Sequence, residues 1–433
     1  MEGVLKYQAK GWKEVDVKLI GLSLVVNKKG KDEEFANIDM TACASVEKDE
    51  DSRKPNSFTI EAEDKNHTFS CTSEEELEEW ISILQKAMKG DLDDDDDDDN
   101  GKSDSVSLND FEMLKVIGKG GYGKVQLVRY KKNGEVYAMK SMSKSGLAEE
   151  GLISRTMDER KALLSIQHPF IVSAKFAFQT TSKVFLVTDY VPGGELFTRM
   201  RSERKFSLDR IRFYSAMLVS AIGYLHSSGL VHRDLKPDNV LIDKDGYLRL
   251  TDFGFVKIGM QSSSYTTTFC GTPDYIAPEI VSGQAYTKNV DWWSLGVLIY
   301  EMAYGKPPFF NQNTNLLYQS IMNDDVQYPE EVDPDLMDLI SKLLTKIPEE
   351  RIGAGFKDSA ALEEHPFFES VDFDKLDNKE YEMEWKPQIK DDLDVSQFDV
   401  KFTREAPMMT PDSVQISSSV QQQFEGFTFE NDI

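Results

Sequence analysis

The chain has 433 residues, 40% of them hydrophobic, and a formal net charge of -26. That length supports two or three domains with cores of their own, and the lack of any basic tract argues against a nucleic-acid partner. Three cysteines without metal-ligand spacing give no disulfide framework, no apolar run reaches the ~18 residues of a bilayer span, and no leader-like segment opens the chain, so a soluble, monomeric, cytoplasmic protein is expected.

Residues 1–90 hold short alternating runs. VDVKL and LSLVV flank an Ile-Gly pair, and SFTIEAE and HTFSCT flank Asp-Lys-Asn. Phe58, Ile60 and Ala62 fall on one side of a pleated strand, which predicts a half-buried antiparallel sheet. SEEELEEWISILQKAM follows, with Ser73 as N-cap, Glu76 three residues on, and Leu77, Trp80, Ile81, Leu84 and Met88 in one stripe at helical spacing. Meander strands followed by one amphipathic helix with a tryptophan resemble a pleckstrin-homology domain. The resemblance implies a small β-barrel capped by that C-terminal helix. It also implies a phosphoinositide site on the first hairpin, with Lys6, Lys10, Lys13 and Lys18 as candidates, and recruitment to the inner face of the plasma membrane. Val15 stands where the family's key arginine would fall, three residues after Trp12, and Asp16 follows. A multiply charged headgroup needs converging bidentate cations, so a protein-contact or autoinhibitory role for this domain stays open.

Residues 91–110 begin DLDDDDDDDN, with seven consecutive aspartates. Such a run repels itself and cannot build a core, so it reads as an acidic disordered linker. Residues 111–368 are by contrast nearly neutral, with 30 Lys and Arg against 31 Asp and Glu.

The chemistry lies in this neutral block. VIGKGGYGKVQLV places Gly118, Gly120 and Gly123 in a G-x-G-x-x-G turn. Glycines let backbone amides approach phosphates without an intervening side chain. VYAMK then puts Lys140 on a strand, and SRTMDERKALLSIQ reads as a helix bearing Glu159. A dinucleotide fold would place a helix directly after the glycines; strand, turn, strand, strand with lysine, helix with glutamate resembles the small lobe of a protein kinase. HRDLKPDN (His232–Asn239), DFG (Asp252–Gly254), GTPDYIAPE (Gly271–Glu279), DWWSLG from Asp291 and Arg351 follow in the family's order.

That resemblance implies a bilobal α+β kinase fold using ATP and magnesium, or manganese in its place. Lys140 would contact the α and β phosphates and pair with Glu159. Asp252 and Asn239 would hold the metal, Asp234 would take the substrate hydroxyl proton, and Lys236 would contact the transferring phosphate, as in serine/threonine-specific members. Val125, Ala138 and Leu241 would sandwich the adenine, with Asp189, Tyr190 and Val191 as the hinge behind Thr188.

FCGTPDYIAPE, KPQ at 386–388, the Phe398–Asp399 pair and FEGFTF at 424–429 are similar to the AGC group, and with the N-terminal domain to its protein kinase B branch. Another AGC subclass with a divergent lipid domain stays open. Residues 369–433 are then a C-terminal regulatory tail. The resemblance implies protein substrates with arginines upstream of Ser/Thr, read by Glu195, Asp238 and Glu301, and an upstream activating kinase. Its phosphosites would be Thr268 in the activation loop, Thr410 in the turn motif and Thr428 in the hydrophobic motif. Arg155, Arg233 and Lys257 would receive the Thr268 phosphate. Phe424 and Phe427 would anchor the tail on the small lobe beside the Glu159 helix. Thr272 would brace the catalytic loop, as would Asp291, and Glu279 would pair with Arg351.

Overall fold

A computed structural model describes residues 2–8, 11–20, 23–30, 34–40, 43–49, 52, 54–62, 65–89, 106–120, 123–260, 264–329, 333–408 and 416–430. Lys10, Thr410 and the aspartate run lie outside the described residues. The chain divides into two compact units, Met1–Ser103 and Asp104–Ile433.

In the first unit β1 (Glu2–Gln8), β2 (Trp12–Ile20), β3 (Ser23–Lys28), β4 (Glu34–Asp39), β5 (Cys43–Lys48), β6 (Ser57–Ala62) and β7 (Asn66–Ser70) precede α1 (Glu74–Lys89). Alternation sends Leu5, Tyr7, Val15, Val17, Leu24, Val26, Phe58 and Ile60 into the core, where α1 adds Leu77, Trp80, Leu84 and Ala87. Ser73 caps α1 by accepting from the Glu76 amide at 3.1 Å, while Glu76 reaches back to the amide and hydroxyl of Thr72.

The sheet runs β4-β3-β2-β1-β7-β6-β5 and is open, which corrects the expected closed barrel. Among the described residues β4 and β5 are its two edges, with no ladder between them. On the β5 edge the helix stands where a closing strand would be. Gln85 Nε2 donates to the Val46 carbonyl at 2.9 Å, and Lys48 pairs with Glu74 at 2.7 Å. A backbone acceptor satisfied in this way is no longer free for a strand. Register shifts at Val26/Asn27 and at Cys43/Ser45 also bend the strands at both edges.

In the second unit the small lobe is a sheet of β8 (Phe111–Gly120), β9 (Gly123–Tyr130), β10 (Val136–Ser143), β11 (Ala174–Gln179) and β12 (Lys183–Asp189), with α2 (Lys144–Glu149) and α3 (Ile153–Ser165) between β10 and β11. The strand order is β8-β9-β10-β12-β11, all antiparallel.

The large lobe is helical: α4 (Leu196–Glu203), α5 (Leu208–Ser227), then short strands β13 (Leu230–Val231), β14 (Val240–Ile242), β15 (Leu248–Leu250) and β16 (Lys257–Ile258). After them come α6 (Pro278–Val281), α7 (Asn289–Tyr304), α8 (Thr314–Asn323), α9 (Pro334–Leu343), α10 (Ser359–Glu363) and α11 (Phe373–Asp377). Helix α7 is apolar on every side, with Trp292, Trp293, Leu295, Val297, Leu298 and Ile299 all fully buried, so it forms the lobe's axis. Beside it Arg351 grips Glu279 through two contacts of 2.7 and 2.9 Å, both side chains buried.

The tail clasps both lobes before adding α12 (Val400–Thr403), α13 (Ser418–Gln422) and β17 (Phe429–Glu430). Trp385 lies under the guanidinium of Arg199 at 4.3 Å, with that of Arg210 at 6.0 Å. The chain crosses Gly194 so closely that a Cβ there would sit 2.6 Å from the Gln397 carbonyl, and Gly194 also holds φ +75°. β17 extends the small-lobe sheet, pairing Ala177 with Phe429 and Phe176 with Glu430 on β11.

Candidate active site

The turn between β8 and β9 needs its glycines for different reasons. At Gly123 a Cβ would lie 1.8 Å from the Ser141 carbonyl, so the neighbouring strand itself forbids a side chain. At Gly120 nothing lies within 4 Å, and at Gly118 only Val125 is near, at 3.5 Å. The protein leaves those two positions open, as a phosphate cradle requires.

β10 carries Lys140 across from Val125 and Leu186. Its ammonium meets Glu159 Oε1 of α3 at 2.6 Å and Asp252 Oδ1 at 3.8 Å. Burial opposes the Lys140 cation, but the two carboxylates outweigh it and hold its pKa above lysine's ordinary value. Burial likewise opposes the Asp252 carboxylate. Lys140 and the Gly254 amide prevail there and hold its pKa low. Asp252 adopts φ +59°, a left-handed backbone that turns its carboxylate toward Lys140.

The catalytic loop is tied together in the same economical way. Asp234, 4% exposed, faces Lys236 Nζ at 2.8 Å through Oδ2 and accepts from the Thr272 hydroxyl at 2.8 Å through Oδ1. Lys236 donates to that same hydroxyl at 2.9 Å. Asn239 Nδ2 donates to the Asp234 carbonyl and carboxylate at 2.9 and 3.0 Å, so its amide oxygen is the end left to face a ligand. The fully buried Asp291 of α7 braces the loop, accepting from the amides of His232 and Arg233 at 2.9 and 2.8 Å. His226 Nε2 lies 3.0 Å from the same carboxylate, and His226 Nδ1 is 3.0 Å from Asp358.

Val125, Ala138 and Leu241 are each half-buried, as the walls of an open slot should be. Thr188 donates to the Ala138 carbonyl at 3.4 Å and Val191 is buried. The Asp189 side chain is turned away, held by Arg249 at 2.7 Å and Lys175 at 3.3 Å, so only its backbone can serve the hinge. Asp252 and Asn239 offer hard oxygen donors of the type magnesium takes, and phosphates and water complete such a site. Among the described residues no group of three His, Cys, Asp or Glu could hold a metal ion.

Glu195 heads α4, Asp238 lies in the catalytic loop and Glu301 on α7. Asp238 lies within electrostatic reach of each of the other two. Burial and then the Asp238 charge raise the Glu195 pKa, while burial, Asp274 and Asp238 raise that of Glu301, whose carboxylate also accepts from the Tyr275 hydroxyl. Beside Glu301 a cavity of about 140 Å³ is lined by Phe197, Met200, Arg201 and Gly305.

Arg233, at φ +66°, donates to the carbonyls of Phe255 at 2.7 Å and Val256 at 3.5 Å, and Arg155 stacks over the Phe255 ring at 5.3 Å. Lys257 and Thr268 are exposed nearby in sequence. The Phe255 and Tyr286 contacts to Arg233 were not legible from spacing; nothing marked either residue.

Phe424 and Phe427 are fully buried in the small lobe. Lys144 lies 5.3 Å over the Phe424 ring and Arg160 lies 5.6 Å over that of Phe427. Arg160 Nε donates to the Phe427 carbonyl at 2.6 Å, Gln179 to that of Phe424 at 3.0 Å, and Lys144 to Gln421 at 2.9 Å. Arg160 directly follows Glu159, so the docked tail holds the helix that carries the lysine's partner. Thr428 is exposed. A further tail contact escaped the sequence: Glu405 lies 3.5 Å from Lys119 and 3.8 Å from Lys124, the two arms of the glycine turn.

Of the four candidate lysines Lys10 lies outside the described residues, and the other three are not brought together. Lys6 and Lys18 point outward from β1 and β2. Lys6 stands opposite Glu14, four residues or roughly 13 Å along β2 from Lys18. Lys13 lies over the Phe35 ring at 5.7 Å. Val15 is buried, so the outward neighbours on β2 are the acids Glu14 and Asp16. Glu14 holds Lys29 at 2.5 Å, and Asp16 accepts the Gly30 amide at 2.7 Å.

Models of three families match the chain: the protein kinase domain over residues 111–368, the protein kinase C terminal domain over 389–429, and the PH domain over 1–89. The chain belongs to the AGC group of serine/threonine protein kinases. It is 38% identical to the RAC family serine/threonine-protein kinase homolog of Dictyostelium discoideum, over 97% of this chain and 94% of that one. Identity to the RAC-beta serine/threonine-protein kinase of Rattus norvegicus is 38%, over 83% and 80% of the two chains. Protein kinase 2 of Dictyostelium discoideum is 42% identical over 75% and 68%. This kinase is thus closely related to RAC-type members, and its membership implies ATP and magnesium in general. No helix among the described residues is long and apolar enough to cross a membrane.

Proposed function

We propose that this kinase phosphorylates Ser/Thr downstream of arginine and is switched on by phosphates at Thr268 and Thr428. The observation that carries the substrate reading is the position of Asp238, whose charge bears on both Glu195 at the head of α4 and Glu301 on α7, a set of acids that a guanidinium would neutralise. Arginine suits such carboxylates better than lysine because its donors are forked. ATP supplies the phosphoryl group, and bound magnesium screens its charge. Lys140, kept charged by Glu159, orients the phosphates, and Lys236 lies beside Asp234 where the transferred group would gather charge. Asp234 accepts the hydroxyl proton once Thr272 yields its hydrogen bond. A peptide array tests the specificity: removing the arginine three residues before the acceptor should cut kcat/KM at least tenfold, and an unchanged rate would refute it.

The natural division is a PH domain over 1–90, a linker over 91–110, a catalytic domain over 111–368 and a regulatory tail over 369–433. A monomer in the cytoplasm, acted on by an upstream kinase, fits this arrangement. For the PH domain, the pairing of Glu14 with Lys29 and of Asp16 with Gly30 favours protein contact or autoinhibition over a strong phosphoinositide site. Flotation with liposomes containing a trisphosphorylated inositol lipid decides between them. Weak, salt-sensitive binding is expected, and tight headgroup-selective binding at physiological salt would reverse the assignment.

A further inference from the structure

Tyr286 lies outside every motif named above, yet the activation segment and the catalytic loop both converge on it. Its side chain is 2% exposed. Its hydroxyl donates to the Thr268 carbonyl at 2.7 Å and accepts from Arg233 Nη1 at 3.2 Å. Cys270 Sγ lies 3.8 Å from the same oxygen. The backbone adds a second fastening, because Thr266 and Tyr286 exchange N–H to O contacts of 3.0 and 2.9 Å. Meanwhile the amide of Arg233 is gripped by Asp291, so the hydroxyl joins the activation segment to the braced catalytic loop through one oxygen.

We infer that Tyr286 is a positioning residue that holds the activation segment against the catalytic loop before Thr268 carries a phosphate. No phosphate is needed for the contact: it uses the Thr268 carbonyl, and the Thr268 side chain stays exposed. A tyrosine hydroxyl is protonated at neutral pH and so able to donate, and burial raises the Tyr286 pKa further, to about 12. Arg233 is presented to the segment with its guanidinium already directed by Phe255, Val256 and Tyr286. A phosphate on Thr268 would supply a direct, charge-assisted tie to the same region, after which the tyrosine contact becomes redundant. The inference rests on the proposed role of Thr268 only for this second half; basal positioning stands without it.

The test is Y286F in the full-length kinase, compared with wild type, with Thr268 unphosphorylated and with Thr268 phosphorylated. Unphosphorylated Y286F should lose five- to tenfold in kcat for a basic peptide with KM for ATP unchanged, and the phosphorylated variant less than twofold. An equal loss in both states, or no loss in the unphosphorylated one, overturns the inference. If phosphorylation leaves wild-type activity unchanged, the Thr268 reading fails by itself, and the unphosphorylated pair still decides the tyrosine. A second readout is peptide-resolved alkylation of Cys270, which is buried against the same hydroxyl. In unphosphorylated protein Cys270 should react several-fold faster in Y286F. Should Y286F fail to fold, alkylation of wild type replaces it: a Cys270 as reactive as an exposed thiol in the unphosphorylated chain overturns the inference, and slow reaction supports it.

Discussion

Replacing Phe427 with alanine removes a fully buried ring that sits on α3 beneath Arg160. Truncating a buried phenylalanine costs about 3–5 kcal/mol when the surrounding fold stays in place and a cavity is left. Here the element losing the ring is a tail that can leave its groove. A loss of ~3 kcal/mol shifts a docked-to-undocked ratio more than a hundredfold. Departure takes with it the Arg160 contact to the Phe427 carbonyl, the Gln179 contact to Phe424 and the β17 pairing on β11. Helix α3 then loses its outer support, and Glu159 holds Lys140 less firmly. We expect kcat/KM for a basic peptide to fall at least tenfold in F427A, and further in F424A/F427A, using protein phosphorylated at Thr268. Hydrogen exchange across 416–430 and 174–179 should quicken in parallel. A tail that exchanges freely while kcat/KM is unchanged would break the proposed link between docking and catalysis. A tail that stays protected would refute the energetic argument itself.

Raising the pH should weaken the fold through His226. Burial disfavours its cation, but Asp291 and Asp358 prevail and lift its pKa above the unfolded value of about 6.5. Its contribution is fully present below pH 6.5 and fades as pH climbs through the folded value, so the urea midpoint should decline over that range in wild type and decline less in H226Q. Gln126 is fully buried, and among the described residues neither its Nε2 nor its Oε1 has a partner. Q126L should therefore raise stability by about 1–3 kcal/mol in urea unfolding, and a loss would show that the amide is satisfied in solution. The two kinds of glycine separate by substitution: G123A should lower Tm sharply because its Cβ meets backbone, whereas G120A should fold normally and raise KM for ATP.

What the sequence exposed was chemistry held within short spans. The glycine turn, HRDLKPDN and DFG each place their side chains through local geometry, and the structure assembles Lys140, Glu159, Asp234, Asn239 and Asp252 where those spans imply. FEGFTF was legible for a similar reason, since apolar rings in an acidic tail require a partner surface. What depends on pairing between distant segments was hidden. On the β5 edge a carbonyl is taken by Gln85 of α1, well outside either edge strand. Val15 drew attention as a missing cation, but parity along β2 turns it inward and leaves Glu14 and Asp16 to face outward. Tyr286 and Glu405 act through contacts that no spacing rule connects to their targets.

The strand β17 has a consequence for colloidal behaviour. It occupies the rim of the small-lobe sheet at β11, whose amides and carbonyls would otherwise offer a template to a second chain. Undocking the tail thus uncovers both a greasy groove and a bare sheet margin at once. The same segment that packs on α3 also serves as the sheet's cover, so undocking the tail should raise the tendency to self-associate.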